Sequence, residues 1–365
     1  MTVVALAGSP SRAAPEVSAC APTMEVPGVT AGRSRPGTVA PSVGTLHAAF
    51  LLVHAADVVP EASVSGPQEL IDASRAWFRA VSYGRLDFEV TTLARWLRLP
   101  AAAAAYAAHP ARYLRDSVAV ADPHVDFSQI DVVYLAPAAA TPVASSGYAL
   151  LNSFGIRADG RELGFWVPFD PGITETAFPG GLLHETGHLL GLPDLYVAGV
   201  QTSFHRWDLM AGSGRFPTEL LAWHRWKLGW IDARQIVCIG RRTRRVVTLT
   251  PLERPGGIKA IFIRRGVHVV ALEVRQREGY DAWVCSPGVL AYDVDQTPFE
   301  RGPIQIYAAR GDDSRRTPAC GPKWNATLDI GRGETHSLRL SSPPVRIELL
   351  AKLRDGSYRV RVTAR

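Results

Sequence analysis

A predicted helix with two histidines four positions apart is the feature that most constrains the fold of this chain. Residues 180–196 read GGLLHETGHLLGLPDLY. A spacing of four residues on an α-helix places His184 and His188 on one face, where two neutral imidazoles can hold the same metal ion. Gly191 can adopt the positive φ that ends a helix without steric cost. We therefore expect a helix over about residues 179–190 that presents two metal ligands.

The residues around the two histidines predict a catalytic metal site. Glu185 follows the first histidine, where its carboxylate can take a proton from a zinc-bound water. Because the chain can turn at Gly191, Asp194 can fold back as a third ligand. Zinc with three protein ligands keeps a fourth position open for water and lowers the pKa of that water towards about 7. We therefore predict zinc on His184, His188 and Asp194, with Glu185 as the general base.

The segment HETGHLLGLPDLY resembles the extended zinc motif of metzincin-type metallopeptidases, with Asp in place of the usual last His. It resembles in particular the immune inhibitor A family (peptidase family M6) of secreted bacterial proteases. Further stretches within roughly residues 46–295 resemble the same family: AVSYGRLDFEV, ARWLRLP, ELLAWHRWKLGW and ALEVRQREGYDAWVCSPGVLAYDVD. The resemblance implies a zincin/metzincin-like α+β catalytic domain, a zinc-dependent endopeptidase and an extracellular location, although the N-terminal residues make a poor signal peptide.

The resemblance also implies roles for residues beyond the zinc helix. Met210, in WDLMAGSG, corresponds to a Met-turn that lies under the metal ligands. In another zincin class a Glu on a downstream helix is the third ligand, so Glu219 remains an alternative to Asp194. That downstream helix is predicted from an N-cap at Thr218 to about residue 229. Tyr196 and His205 are candidate auxiliary donors, each with a structural role as the alternative.

Three regions follow from composition and pattern. Residues 1–43 are rich in Pro, Ala, Gly and Ser without periodicity, which predicts a flexible leader, linker or short pro-segment. Residues 44–232 form the predicted catalytic domain. Residues 233–365 contain short alternating segments between Gly and Pro turns, which predict an all-β, sandwich-like C-terminal domain.

Charge and hydropathy limit the partners. The net charge of +6 over 365 residues is too dilute to indicate nucleic acid binding. The run at residues 241–245, RRTRR, is interpreted as a solvated hairpin rather than a phosphate-binding patch. No stretch of eighteen apolar residues is present, so no membrane span is predicted. Protein or peptide substrates are the expected partners, and the oligomeric state is left open.

The four cysteines leave their pairing open. Cys285 and Cys320 flank one β-rich stretch and are the preferred disulfide, with buried free thiols as the alternative. Cys238 has no assigned partner. Cys20 is interpreted either as a zinc ligand that would hold the enzyme inactive or as an incidental thiol in a flexible arm.

A calcium site is a further candidate. Asp122, Asp126 and Asp131 are close enough in sequence to gather around Ca²⁺, and turn or cap roles are the alternative for each. The functional prediction is a zinc endopeptidase that acts through metal-activated water. A non-catalytic secreted binding module and a zinc hydrolase of non-peptide substrates are the competing hypotheses.

Overall fold

The computed structural model describes residues 20–22, 25–61, 64, 66–139, 149–151, 154–170, 173, 179–196, 207–212, 218–297, 302–307, 309, 325–331, 333–341 and 344–364. Over these residues the chain is mixed α and β, with few helices and several sheets, as the predicted α+β class requires. None of the helices in this part of the chain is long and apolar enough to cross a membrane.

The helices and strands follow one another through these ranges. The helices are α1 (Gly66–Val81), α2 (Pro110–Ala121), α3 (Gly180–Leu189) and α4 (Ala222–Lys227). The strands are β1 (Glu25–Val26), β2 (Arg33–Ser34), β3 (Gly44–His54), β4 (Leu86–Thr92), β5 (Leu97–Arg98), β6 (Val132–Pro137), β7 (Arg157–Ala158), β8 (Arg161–Glu162), β9 (Trp166–Pro168), β10 (Ile236–Ile239), β11 (Thr243–Leu249), β12 (Ala260–Arg265), β13 (His268–Arg275), β14 (Gly288–Asp295), β15 (Ile304–Ile306), β16 (Ser337–Ser341), β17 (Pro344–Lys352) and β18 (Tyr358–Ala364).

A parallel sheet in the order β4-β3-β6-β9 organises the first half of the chain, and β5 pairs with the end of β3. Both faces of β3 are buried, which is why its sequence reads as a continuous apolar run. Phe50 faces a core that includes Trp77 of α1 and Leu183 of α3. Leu51 faces the opposite core with Tyr113 of α2. The metal-site helix α3 therefore packs on the same side of the sheet as α1.

Two further sheets form the sandwich predicted for the C-terminal region. One has the order β10-β12-β13-β14-β15 and the other β11-β18-β17-β16. The first sheet is a middle layer because its two faces join different cores. Phe262 of β12 packs into the core of the first half, whereas Ile261 packs against Ile347 of β17. The predicted boundary at residue 232 therefore runs between layers that share one hydrophobic core.

Residues 25–43, which we call the N-terminal strap, belong to the region predicted as a flexible leader, linker or short pro-segment, and the structure shows their contacts. The strands β1 and β2 of the strap pair in parallel, and the backbone amide of Thr30 donates to the carbonyl of Gly191 at 3.1 Å. Just before the strap, Cys20 forms a disulfide with Cys238. Long-range contacts order a segment whose local sequence has no periodicity.

The disulfide also corrects both interpretations of Cys20. Its sulfur is bonded to Cys238 and the residue is fully buried, so it is neither a metal ligand nor an incidental thiol in a flexible arm. Cys285 is disulfide-bonded as well, which is against the free-thiol alternative. Its predicted partner, Cys320, lies outside the described residues.

The helix predicted to start at Thr218 begins later, at Ala222. The bond that a helix would form between the amide of Trp223 and the carbonyl of Glu219 is replaced, since the Trp223 amide donates to the Tyr292 hydroxyl at 3.2 Å. The carbonyl of Glu219 accepts from the amide of Leu209 at 3.0 Å, and the amide of Leu221 donates to the Asp208 carboxylate at 2.7 Å. These tertiary bonds outweigh the local capping preference.

Candidate metal centre

The metal-site helix ends where the sequence predicts. Gly191 has a φ of +94°, and its amide donates to the carbonyl of His188 at 2.8 Å. The amide of Leu192 donates to the carbonyl of Gly187 at 2.9 Å. These two bonds form a Schellman motif, which satisfies the last carbonyls of α3. The turn brings Asp194 back towards the histidine face of the helix.

Three side chains converge beside α3. Oδ1 of Asp194 lies 3.1 Å from Nε2 of His184 and 3.3 Å from Nε2 of His188. Nδ1 of His184 faces the carbonyl of Leu209 at 3.3 Å, and Nδ1 of His188 faces the carbonyl of Leu192 at 2.8 Å. A proton on each Nδ1 satisfies these carbonyls and leaves both Nε2 lone pairs directed at the common centre. Among the described residues this is the one His, Cys, Asp and Glu cluster with metal-ligand spacing.

The donor set fits a small divalent metal ion. Oδ1 of Asp194 is buried and makes no aligned hydrogen bond within the described structure, despite its short contacts with the two imidazoles. Ligands about 2.0–2.1 Å from a tetrahedral ion are separated by about 3.3 Å, close to the two measured contacts. Two imidazoles with one carboxylate can therefore hold a metal here and leave further coordination positions to water or substrate.

Electrostatics favours the ionised form of Asp194. Burial opposes ionisation of Asp194, but its contacts with His184 and His188 outweigh burial and lower the pKa of the carboxyl. For His188 burial again opposes the charge, while the close contact with Asp194 and the negative charge of that carboxylate raise the pKa of the imidazole. Protons and a metal ion therefore compete for the same donor atoms.

Glu185 lies beside the cluster without joining it. Its side chain is only 9% exposed, and it accepts a backbone hydrogen bond from Ala149. Burial raises the pKa of this carboxyl, although the charges of His184 and His188 partly offset the effect. Ala149 belongs to a short edge segment, because the adjacent Leu150 bridges Trp166 of β9 in antiparallel orientation.

A tight turn at Met210 lies under α3. Residues 209–211 form one turn of 3₁₀ helix, and Met210 is fully buried. A Cβ added to Gly187 would lie 2.5 Å from the Met210 sulfur, so the glycine allows this close approach. The carbonyl of Met210 accepts from the amide of Leu195 at 2.9 Å, next to Asp194. The turn therefore contacts both the helix and the segment that supplies the third ligand.

A buried Asp208–His224 pair holds this turn, and the sequence analysis missed it. One carboxylate oxygen of Asp208 accepts from the amide of Met210 at 2.8 Å. The other accepts from the amide of Leu221 at 2.7 Å and faces Nδ1 of His224 at 2.8 Å. The carbonyl of Leu209, the residue after Asp208, faces Nδ1 of His184. Asp208 therefore supports the orientation of this imidazole through one intervening residue. The sequence feature that could have indicated the pair is Asp208 at an N-cap position before the turn at Met210, followed by His224 on the next helix.

A buried charge cluster connects the middle sheet to the residue before this turn. Arg275 of β13 donates to the carbonyl of Trp207 at 2.8 Å and to Glu273 at 2.9 Å. Its guanidinium also contacts Asp281 and lies 3.7 Å from Glu253. All four charged residues are buried. The C-terminal layers thus reach the backbone that leads into the metal centre.

The other predicted site residues take different places. Glu219, the alternative third ligand, is buried in an ion pair with Arg225 and is not part of the cluster of His184, His188 and Asp194. Tyr196 stacks on His184 with ring centroids 6.3 Å apart. His205 lies outside the described residues.

Two of the three aspartates considered for calcium accept hydrogen bonds from backbone amides, and the third lies at the end of a helix. Asp126 caps a 3₁₀ turn by accepting from the amide of Ser128 at 2.9 Å. Asp131 accepts from the amide of His47 at 3.0 Å, and Asp122 is the C-cap of α2. Over the described ranges these residues form no metal-ligand cluster. The turn and cap interpretation replaces the calcium prediction.

Comparison with known proteins adds little to this geometry. No family model matches the chain, and no curated protein matches it. Among solved structures, metalloproteinase-II from Bacteroides fragilis is similar at 19% identity and a TM-score of 0.30, over 56% of this chain and 58% of that one. The chain thus spans less than two thirds of that protein's length. At this level the likeness does not assign a function, and the assignment depends on the residues of the metal centre.

Proposed function

We propose that the protein is a zinc-dependent endopeptidase whose metal is held by His184, His188 and Asp194. The observation that carries the proposal is the buried carboxylate of Glu185 beside three converging metal donors. Holding a metal does not require a second carboxylate that is not itself a ligand. Hydrolysis by activated water does require a base there.

Each residue has a role that its geometry supports. The carbonyls of Leu209 and Leu192 orient the two imidazoles, and Asp194 contributes negative charge to the ligand set. Bound Zn²⁺ would supply a Lewis acid and lower the pKa of water at its open position. Glu185 takes a proton at its carboxylate from the attacking water and delivers it to the leaving amine.

Two features favour zinc and an extracellular site of action. Two imidazoles with one carboxylate are a ligand set that zinc accepts readily in hydrolases. The Cys20–Cys238 disulfide is of the kind that persists in oxidising compartments. A binding module without catalysis leaves Glu185 unexplained. A zinc hydrolase of non-peptide substrates would use Glu185 in the same way, so it remains the competing enzyme function.

The test is cleavage of an unfolded protein by the zinc-loaded chain and by Glu185→Gln. We expect the variant to retain zinc and to lose about 10²–10⁴-fold in rate, the range for loss of general acid–base catalysis. Glu69→Gln, an exposed position on α1, is the matched control and should cleave normally. Zinc-loaded wild type that cuts only esters, or that cuts nothing, would overturn the peptidase proposal.

A further inference from the structure

The outer face of the four-stranded sheet carries a concentration of arginines. Strand alternation turns Ile347 of β17 and Val360 and Val362 of β18 into the sandwich core. The residues between them point outwards, and the outward positions of the four strands include five arginines and one glutamate: Arg244, Arg339, Arg346, Arg359, Arg361 and Glu348. We call these residues the arginine face. Its formal charge of +4 is large beside the net charge of +6 for the whole chain.

Strand register places three of these arginines in one row. Arg244 pairs with Thr363, Thr363 pairs with Arg346, and Arg346 pairs with Arg339. Adjacent strands are about 4.8 Å apart, so the row crosses the sheet over roughly 14 Å. The three arginines line a groove of about 590 Å³.

The row is not explained by the stability of the sheet. Glu348 lies 2.7 Å from Arg346 and 3.8 Å from Arg361. Arg244 and Arg339 have no carboxylate partner within the described part of the chain. Arg339 lies directly opposite Arg346, and like charges in that position destabilise a sheet. An external anion is the partner that would compensate these charges.

We propose that the arginine face binds a linear acidic polysaccharide. A guanidinium group holds a carboxylate or sulfate through two parallel hydrogen bonds, and a row of such groups suits a chain with repeated anionic groups. Single-stranded nucleic acid fits less well, because the outward positions described on these strands carry no aromatic side chain for base stacking. A groove also suits a polymer chain better than the flat surface of a bilayer.

The location indicates an anchoring role. The arginine face lies on the outermost layer, and the middle sheet separates that layer from the core that contains α3. Packed sheets are about 10 Å apart, so a polymer on this face does not enter the metal centre. Binding at the arginine face does not depend on the proposed peptidase activity. The face would hold the protein on an anionic polymer.

The test measures binding of a heparin fragment, a linear sulfated polysaccharide, by titration over a series of salt concentrations. The triple variant Arg244→Gln, Arg339→Gln and Arg346→Gln should bind on the order of tenfold more weakly or worse, because charge-assisted hydrogen bonds are lost. Its salt dependence should also be shallower, since fewer counterions are released.

A matched triple variant controls for net charge. Arg79→Gln, Arg95→Gln and Arg115→Gln remove the same charge from exposed positions away from the sandwich, and should bind within about twofold of wild type. Equal losses in the two triple variants would overturn the proposal, as would a wild type that does not bind heparin at low salt.

A single substitution separates binding from folding. Thr363→Glu adds a carboxylate between Arg244 and Arg346, so it should weaken heparin binding without lowering the melting temperature. Unchanged binding by this folded variant would contradict the proposal. Tighter binding of RNA, of phosphatidylserine vesicles or of a polyglutamate peptide, with the same arginine dependence, would overturn the choice of polysaccharide.

Discussion

Replacement of Asp208 by Asn tests whether the turn at Met210 holds the candidate metal centre in place. The Asp208 carboxylate is buried and accepts from the amides of Met210 and Leu221, with His224 as its third partner. Asparagine has nearly the same shape but offers one oxygen and one NH₂ group. The NH₂ group must therefore face at least one of these three donors.

The structure gives the expected magnitude. If the side-chain oxygen of the asparagine still accepts from the backbone amide of Leu221 and from His224, its NH₂ group faces the backbone amide of Met210. Two donors then face each other. The variant loses one hydrogen bond to a charged group, worth about 1.5–3 kcal/mol, and leaves a buried donor unsatisfied at about 1–3 kcal/mol. We expect the free energy of unfolding to fall by roughly 3–5 kcal/mol in the metal-free protein.

The effect should extend to the metal. Leu209 follows Asp208 and its carbonyl orients His184, so displacement of the turn should weaken zinc binding by about 10–100-fold. Urea unfolding in the presence of a chelator gives the first quantity, and competition with a zinc indicator gives the second. Asp72→Asn, which breaks an exposed contact with Arg75, is the control and should cost less than about 1 kcal/mol. An Asp208→Asn protein with wild-type stability and wild-type zinc affinity would refute the reasoning.

Three further predictions concern the strap and the end of α3. Gly191→Ala forces a side chain into positive φ and within 2.4 Å of the Ser34 hydroxyl, so urea unfolding should show a loss of at least about 1–2 kcal/mol; an unchanged midpoint would contradict the contact. Burial lowers the pKa of Lys227 from 10.5 to about 7, so between these pH values the unfolded chain binds one more proton than the folded chain. The free energy of unfolding should therefore rise by about 1.4 kcal/mol for each unit of increasing pH. This slope should be absent in Lys227→Met, and an equal slope in both proteins would argue against a lowered pKa at Lys227. Cys20→Ser removes the disulfide to Cys238, which closes a loop of 218 residues, and should lower the free energy of unfolding by about 2–5 kcal/mol. If the variant keeps its stability and only its first residues become sensitive to protease, the strap folds without the disulfide.

Local physics made the metal helix and the sandwich predictable. The spacing of His184 and His188 and the glycine after the helix act within a few residues, so the sequence contains the whole signal. The same holds for the alternating segments that became β11 to β18, because the side-chain period of two is a local property. The short parallel strand β10 was missed, since four apolar residues do not indicate a strand by period alone.

Features that depend on distant contacts were beyond local reasoning. The strap has the composition of a linker, yet the indole of Trp223 donates to the carbonyl of Ala31 across 192 positions. Thr218 is a good N-cap in isolation. The helix nevertheless begins at Ala222, because the carbonyl of Glu219 accepts a hydrogen bond from Leu209 in the turn at Met210. The sequence alone indicates a solvated turn for the RRTRR run. Only the strand register shows that Arg244 lies in one row with Arg339 and Arg346, about a hundred residues later.

The metal centre is a property of the whole chain more than of the segment that carries its ligands. The strap amide of Thr30 donates to the carbonyl of Gly191, at the turn that brings Asp194 towards the two histidines. From the other side, Arg275 of the middle sheet bonds the carbonyl of Trp207, which leads into the Met-turn. A buried guanidinium with three acidic neighbours adds little to stability compared with apolar packing, but it tolerates very little displacement. Such a network fits a role in fixing the position of the turn at Met210, because the proposed hydrolysis would depend on how accurately the three donor side chains and Glu185 are held.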